Sequence, residues 1–268
     1  MMRVFRIAAL AAFCLASAGC RKNGVPSSLA QPPEPVPPQV VKFRLVYGGM
    51  DERFRSEVSV AEADIPEFVS ELEAVIAADT ENLLRFCSKQ KLLPSTYAPE
   101  DLVPVKSNSS YVVNRNDLSL RKTVADNLAV LGDAAKADGI TLSVSSTYRS
   151  YQYQERLYAR NVAELGQEAA DRESARPGSS QHQLGVVVDF GSVTDEFAET
   201  PAGLWLSQNA ERYGWSLSFP KGYEDVTGFR WECWQYRYLG DAACSLQKKW
   251  FHDIQHFMLE FIDAWKGV

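Results

Sequence analysis

Residues 179–190 read SSQHQLGVVVDF and join a histidine-bearing loop to an apolar run that ends in an aspartate. The run at residues 186–190 predicts a short buried strand. A turn at Gly185 would let the imidazole of His182 face the carboxylate that Asp189 presents from this strand. One imidazole nitrogen and one carboxylate oxygen suit a zinc ion. A structural hydrogen bond between the two side chains would explain the same spacing, so this pair alone does not distinguish a metal site from a structural pair.

Helical and strand patterns surround this segment without a regular repeat. Apolar residues at helical spacing predict a helix that ends at Gly139, and the alternation over residues 140–144 predicts a half-buried strand. A further helix stops at Gly166, and residues 245–265 predict one long closing helix. This mixture predicts an α+β domain with a mainly antiparallel sheet flanked by helices, over residues 101–268.

A smaller extension precedes this domain. The alternation in VKFRLVY, residues 41–47, predicts a strand, and Phe68, Leu72 and Val75 at helical spacing predict a helix after it. Residues 41–100 are therefore predicted to form a strand–helix extension without recognisable chemistry. It either packs on the main domain or spaces that domain from a membrane.

Composition limits the classes of function. The chain has 268 residues, of which 46% are hydrophobic and 23% charged, as in a globular protein with one substantial core. The formal net charge of −6 argues against nucleic-acid binding and against charge-driven binding to an anionic membrane surface. A monomer is the default expectation.

Residues 1–19 have the features of a secretory signal. Two arginines precede a short apolar run and a set of small residues, and the run falls short of the roughly 20 apolar residues that span a bilayer. The end of this segment, ASAGC, resembles a bacterial lipobox with Ser17 in place of leucine. This resemblance implies lipidation of Cys20 and a membrane-anchored lipoprotein facing the periplasm or cell wall; a plain signal peptide is the alternative. The proline-rich residues 20–40 predict an extended linker.

Three cysteines follow Cys20, namely Cys87, Cys233 and Cys244. Their spacing does not match a cysteine-based zinc site. An exported protein can form one disulfide from three cysteines, and the sequence leaves open which pair that is.

Three segments, in order, resemble the VanY-like D-alanyl-D-alanine carboxypeptidases, which are zinc peptidases of bacterial cell-wall metabolism. Residues 174–190 fit the family pattern S-x-H-x-x-G-x-A-x-D, with Val187 in place of the alanine. SSTYRSYQYQERLY, residues 145–158, matches the segment S-x-YRS-x-x-x-Q. Residues 212–240 follow the closing segment, which ends in E-x-W-H in the family and in ECWQ here. The resemblance covers roughly residues 101–245.

This resemblance implies a D,D-peptidase/hedgehog-like zinc peptidase fold, a zinc cofactor and a set of site residues. His182 and Asp189 would be metal ligands, and Gln235 stands where the family has its third ligand, a histidine. Glu232 would be the general base. Arg149 would hold the anionic end of the peptide or stabilise the oxyanion, since its guanidinium keeps its charge. The substrate would be oriented by Gln154, Ser180 and Trp234.

No other side chain is expected to replace the missing histidine. His252 and His256 are four residues apart, but they fall opposite the apolar stripe of the predicted closing helix, so both are expected to be solvated. Cys233 is a good zinc donor, yet neighbours along a strand point to opposite sides, so it should face away from the cavity of Glu232.

The sequence therefore supports an exported zinc D,D-carboxypeptidase, or an L,D-carboxypeptidase, that trims D-alanine from peptidoglycan stem peptides. The alternative is a peptidoglycan-binding lipoprotein that has lost the metal and its activity. A surface lipoprotein that uses the domain only as a scaffold is a third reading, and it predicts that Arg149, Gln154 and Ser180 do not share a pocket. The retained glutamate at the base position favours the enzyme.

Overall fold

The computed structural model describes residues 36–268. The predicted signal peptide, Cys20 and most of the proline-rich linker lie outside these residues. The helices are α1 (Pro38–Gly49), α2 (Glu52–Glu57), α3 (Ile65–Ala78), α4 (Lys122–Ala137), α5 (Tyr151–Leu165), α6 (Gln167–Glu173), α7 (Pro201–Asn209), α8 (Glu224–Thr227), α9 (Asp241–Trp250) and α10 (Gln255–Gly267). The strands are β1 (Leu102–Pro104), β2 (Tyr111–Val113), β3 (Ser119–Arg121), β4 (Leu142–Ser146), β5 (Val187–Phe190), β6 (Trp215–Phe219) and β7 (Glu232–Tyr238). Over residues 36–268, no helix is both long enough and apolar enough to cross a membrane.

Five strands form the central sheet in the order β2-β4-β5-β7-β6. Only the β2–β4 pair is parallel; the other three pairs are antiparallel, which confirms the predicted α+β class with a mainly antiparallel sheet. Every residue of β5 and β7 is buried, so polar side chains on these two strands lie in the interior. The small β1–β3 ribbon stands apart from this sheet.

The periodicities that frame the sheet are confirmed. Helix α4 buries Val124, Leu128 and Leu131, and it is followed by Gly139 at φ +79°, a backbone conformation that suits glycine. Strand β4 alternates between buried and half-buried residues, and α5 ends at Gly166.

The single closing helix predicted over residues 245–265 is wrong. The chain forms α9 and α10, joined by a turn in which His252 and Asp253 have φ values of 54° and 58°. Left-handed backbone at two residues that are not glycine carries no clear sequence signal, because asparagine, aspartate and histidine tolerate it only as single exceptions.

The predicted strand at residues 41–47 is also wrong, since these residues belong to α1. Pro38 lies in its first turn, where proline favours helix initiation. Val40, Phe43 and Val46 recur every three residues and bury one helical face. The apolar spacing in this short segment fits both periods, and packing against the rest of the chain selects the helix.

The N-terminal helices pack on the main domain. Together with α9 and α10 they enclose a second hydrophobic core, separate from the core around the sheet. Phe54 lies at its centre, fully buried, and its ring stacks on Phe261 at a centroid distance of 5.8 Å. Of the two roles that the sequence left open for this extension, the structure shows packing.

Cys87, Cys233 and Cys244 are all free thiols in buried positions, so the disulfide considered from the sequence does not form among them. Burial raises the pKa of the Cys87 thiol to about 11, which makes it a poor nucleophile at neutral pH.

Truncating Phe54 tests the second core. Phe54→Ala should lower the free energy of unfolding by about 3–5 kcal/mol, because it removes a buried ring and leaves a cavity. Leu45 of α1 is 62% exposed, so Leu45→Ala should change the free energy of unfolding by no more than about 0.5 kcal/mol. Urea unfolding of both variants measures the difference, and equal losses would contradict this account of the core.

Candidate active site

The site begins with the register of β5 and β7. Asp189 pairs with Gln235 across these antiparallel strands, and Ser146 of β4 pairs with Asp189 on the other side. Directly opposed residues point to the same face of a sheet. The aspartate and the glutamine are therefore held side by side in the interior, 2% and 4% exposed.

An irregularity in β7 brings Glu232 to the same cavity. Leu217 pairs with Tyr236, and Phe219 pairs with Glu232. Between these two pairs, β7 contains two more residues than β6. A bulge of this kind breaks the strict alternation of side chains. Glu232 and Gln235, which a regular strand would point to opposite faces, consequently line one cleft.

His182 reaches the cleft from a short 3-10 turn, Gln181–Leu184. The hydroxyl of Ser180 accepts a hydrogen bond from the His182 backbone N–H, and the turn closes at Gly185 with φ +70°. A side chain at Gly185 would be strained by this backbone and would meet Arg121 at 3.1 Å. The glycine in the motif therefore makes the turn that aims the imidazole.

The imidazole of His182 is held in one tautomer. Its Nδ1 lies 2.6 Å from the carbonyl oxygen of Thr147. Because a carbonyl oxygen only accepts, Nδ1 carries the hydrogen, and a neutral ring presents the lone pair of Nε2 to the cleft. This Nε2 lies 3.1 Å from Oε1 of Gln235 and 3.3 Å from Oδ2 of Asp189.

Three electron-pair donors thus converge, which is the arrangement that a cation stabilises. Two ligands of one tetrahedral zinc ion, each at about 2.0–2.1 Å, lie roughly 3.3 Å apart, close to the separations around His182 Nε2. A backbone carbonyl on the other ring nitrogen is the usual support of a metal-bound histidine. Asp189 Oδ1 and Gln235 Nε2 are buried without a hydrogen-bond partner among the described residues. The donor set of this chain fits a divalent metal.

The amide of Gln235 is the candidate for the third ligand beside His182 and Asp189. Across residues 36–268 there is no group of three His, Cys, Asp or Glu side chains arranged to hold a metal. His252 is exposed, whereas His256 is half-buried with its ring edge-on to Phe86 at 5.1 Å. The expectation that both are solvated is wrong for His256, because Phe86 packs against its ring. Burial lowers the pKa of His256 to about 4.

Arg149 follows β4 and lines the cleft beside Asp189. Its Nη2 donates to Oδ2 of Asp189 at 2.6 Å, and its Nε donates to the hydroxyl of Ser146 at 2.9 Å. Burial alone would raise the pKa of Asp189, but the neighbouring His182 ring and the Arg149 guanidinium outweigh it and lower that pKa. The Arg149 side chain is 20% exposed, so part of the guanidinium remains open to the cleft.

The carboxyl group of Glu232 is deeply buried. Burial and the charge of Asp189 raise the pKa of Glu232 to about 8, against the opposing charges of Arg149 and Arg230. A carboxyl whose pKa lies near neutrality can both accept and return a proton at physiological pH, and that is the property of a general acid–base group.

The cleft has a volume of about 260 Å³. Its walls include apolar side chains, among them Leu157, Phe219 and Phe229. The predicted site residues that line it are Arg149, Ser180, His182, Asp189, Glu232, Trp234 and Gln235.

Gln154 is the predicted substrate-binding residue that the structure does not bring to the cleft. It is 1% exposed, and its Nε2 donates to the carbonyl oxygen of Ala175 at 2.7 Å. Since Ser174 and Ala175 form part of the cleft wall, Gln154 supports that wall from behind. Cys233 does not line the cleft, as expected, and its Sγ lies 3.6 Å from the carbonyl oxygen of Thr194.

Some functional positions were missed by sequence reasoning. The Thr147 carbonyl is a backbone group that any residue could supply, so no residue pattern marks it. Glu173 lines the cleft at the end of α6, where it looks like an ordinary surface charge in the sequence. The Arg237 side chain is fully buried and donates to the carbonyl oxygens of Leu83 and Arg85 at 2.6 and 2.8 Å. These hydrogen bonds connect the loop after α3 to β7.

The raised pKa of Glu232 predicts a pH-dependent stability in the metal-free protein. A carboxyl with a folded-state pKa of about 8 and an ordinary value of 4.5 binds more protons in the folded state between these pH values. Its stabilising contribution is complete below pH 4.5 and is lost as the pH rises through 8. Glu232→Gln should therefore gain stability relative to the native protein as the pH rises from 5 to 8.

Denaturant unfolding of chelator-treated protein at pH 5, 6.5 and 8 measures this effect. Glu73→Gln is the matched control, because it removes one carboxylate from the exposed face of α3. If the stability difference between Glu232→Gln and the native protein stays constant over this pH range, burial does not raise the pKa of Glu232.

The chain is similar to several known proteins. The VanY family model, described as D-alanyl-D-alanine carboxypeptidase, matches residues 117–241. The chain is 36% identical over 172 residues to YodJ of Bacillus subtilis (strain 168), an alignment that covers 62% of this chain and 63% of YodJ. The chain therefore spans less than two thirds of that relative's length.

Two solved structures share the fold. The LdcB LD-carboxypeptidase has a TM-score of 0.60 and 32% identity, covering 69% of this chain and 87% of LdcB. The vancomycin-resistance D,D-pentapeptidase VanY from the VanB-type cassette, determined in complex with Zn(II), has a TM-score of 0.51 and 28% identity, covering 61% of this chain and 92% of that protein. This chain belongs to the VanY-like D-alanyl-D-alanine carboxypeptidase family.

Proposed function

We propose that this protein is a metal-dependent carboxypeptidase that removes the terminal D-alanine from peptidoglycan stem peptides. The observation that carries the proposal is the position of His182 Nε2, 3.1 Å from Gln235 Oε1 and 3.3 Å from Asp189 Oδ2, in a cleft that also holds Glu232. The family's description and the Zn(II) complex of its VanY relative support a peptidase with zinc as the reference metal.

In this proposal His182, Asp189 and Gln235 hold the metal, and the Thr147 carbonyl keeps Nε2 free for it. The metal would supply a nucleophile at neutral pH by lowering the pKa of water to about 7. Glu232 accepts the proton of the attacking water and returns it to the leaving amine, as its pKa near neutrality allows.

The remaining residues position the peptide. The part of Arg149 that is open to the cleft binds the terminal carboxylate or the oxyanion, both of which are negative. Ser180 and the ring of Trp234 orient the substrate from the cleft wall. This set fits a D,D- or an L,D-carboxypeptidase, and the two differ in whether a pentapeptide or a tetrapeptide stem is trimmed.

A second candidate follows from one observation, the glutamine at position 235. An amide oxygen is a weaker zinc ligand than imidazole. If the site holds no metal, the protein would use the cleft and Arg149 to bind peptidoglycan, as a lipoprotein without enzymatic activity.

Assays with defined stem peptides separate the two candidates. With added Zn²⁺ or Mn²⁺ the native protein should release D-alanine from a pentapeptide or a tetrapeptide stem. Glu232→Gln should lower kcat by at least about 100-fold because it removes the proton acceptor. The Glu73→Gln control should keep native kinetics.

D-alanine release can be followed with a coupled D-amino-acid oxidase assay. If the native protein releases none with either metal, while Gln235→His does, the enzymatic proposal is wrong and the binding protein is supported.

We also propose that the protein is exported and lipid-anchored through Cys20, which lies outside the described residues. The lipobox-like ASAGC and the proline-rich linker after it support this. In a bacterial host, Cys20→Ser should move the protein from the detergent phase to the aqueous phase of a Triton X-114 partition. Cys14→Ser changes a cysteine within the signal segment and should leave the partition unchanged. Equal partition of all three proteins would rule out a lipid on Cys20.

A further inference from the structure

Gln235 has little freedom to avoid the metal position. Its backbone pairs with Asp189 in the middle of the sheet, and its side chain is 4% exposed. The Oε1 atom already lies 3.1 Å from His182 Nε2. The amide can rotate about its last bond, but it cannot leave the site.

The Gln235 amide can turn either Nε2 or Oε1 toward His182, and the two orientations differ in their hydrogen bonds. The His182 hydrogen lies on Nδ1, toward Thr147 at 2.6 Å, so a neutral ring offers a lone pair at Nε2. With Nε2 of Gln235 turned toward it, the amide donates a hydrogen bond to the imidazole. With Oε1 turned toward it, as in the structure, the amide oxygen lies 3.1 Å from Nε2 and the Gln235 NH₂ has no partner among the described residues. This orientation is the one in which the amide oxygen can act as a metal ligand beside His182 and Asp189.

A cation therefore binds here at a cost that a histidine would avoid. Holding Oε1 toward the metal leaves a buried NH₂ without a hydrogen bond, which weakens binding of every metal. The identity of the donor adds a second effect that depends on the metal. Imidazole suits zinc, whereas carboxylate and carbonyl oxygens suit harder cations such as Mn²⁺.

We propose that Gln235 sets the metal preference of this site, so that Zn²⁺ is favoured over Mn²⁺ less strongly than it would be with a histidine at the same position. This inference rests on the metal site of the proposed function. The ligand set becomes one nitrogen and two oxygens, and its single formal negative charge, on Asp189, is the same with either residue. Donor type, rather than charge, is what changes.

Competition between the two metals tests the proposal. Full-length protein in detergent is stripped with a chelator, and Kd values for Zn²⁺ and Mn²⁺ are measured by isothermal titration calorimetry with the metal chlorides. The ratio of Kd for Mn²⁺ to Kd for Zn²⁺ should be at least about tenfold higher in Gln235→His than in the native protein, which corresponds to about 1.4 kcal/mol. Gln235→Leu should bind both metals at least about tenfold more weakly than the native protein.

Gln152→His is the matched control, since it adds an imidazole on the exposed side of α5 and should leave the ratio unchanged. Circular dichroism confirms that each variant is folded. Equal ratios in native and Gln235→His protein, with both binding metal, would overturn the inference but leave the site in place. Native affinity in Gln235→Leu would show that Gln235 is not a ligand and would overturn it as well.

A different result would remove the metal site itself. If neither the native protein nor Gln235→His binds either metal, the proposed function fails together with the inference. That outcome is distinguishable from an unchanged ratio, because an unchanged ratio requires measurable binding.

Discussion

The pairing of β5 with β7 is the constraint on which the site depends. Both strands are buried over their whole length, and a slip by one residue would turn every side chain to the wrong face. The register is therefore fixed, and it places Asp189 beside Gln235 in the interior of the sheet. The turn at Gly185 then adds His182, and the bulge in β7 adds Glu232.

Such a cluster is unfavourable for folding. An aspartate that is 2% exposed and a glutamate that is 8% exposed both lose hydration, and only Asp189 gains a hydrogen-bonded partner in Arg149. Well-packed apolar residues at these positions would stabilise the sheet more. The polar groups are better explained by the chemistry of the cleft, because strongly perturbed pKa values such as that of Glu232 concentrate at functional sites.

Strands β4 and β5 and helices α4 and α5 were predictable from periodicity and from glycines such as Gly139. Residues 41–47 were not, because Phe43 and its neighbours fit a strand and a helix equally well until they pack against α3 and α10. The break between α9 and α10 has no sequence signal, since it rests on left-handed backbone at His252 and Asp253.

For the site, the motifs identified residues that the structure brings to one cleft, and their roles stay predictions. Side-chain patterns could not predict that Gln154 lies behind the cleft wall, or that the Thr147 carbonyl contacts His182.

The most direct test of the metal site is a crystal structure with Mn²⁺ or Zn²⁺, using anomalous scattering to locate the ion. We expect one peak within about 2.0–2.6 Å of His182 Nε2, Asp189 Oδ2 and Gln235 Oε1. A site without a peak, with the Gln235 NH₂ hydrogen-bonded to His182, would contradict it.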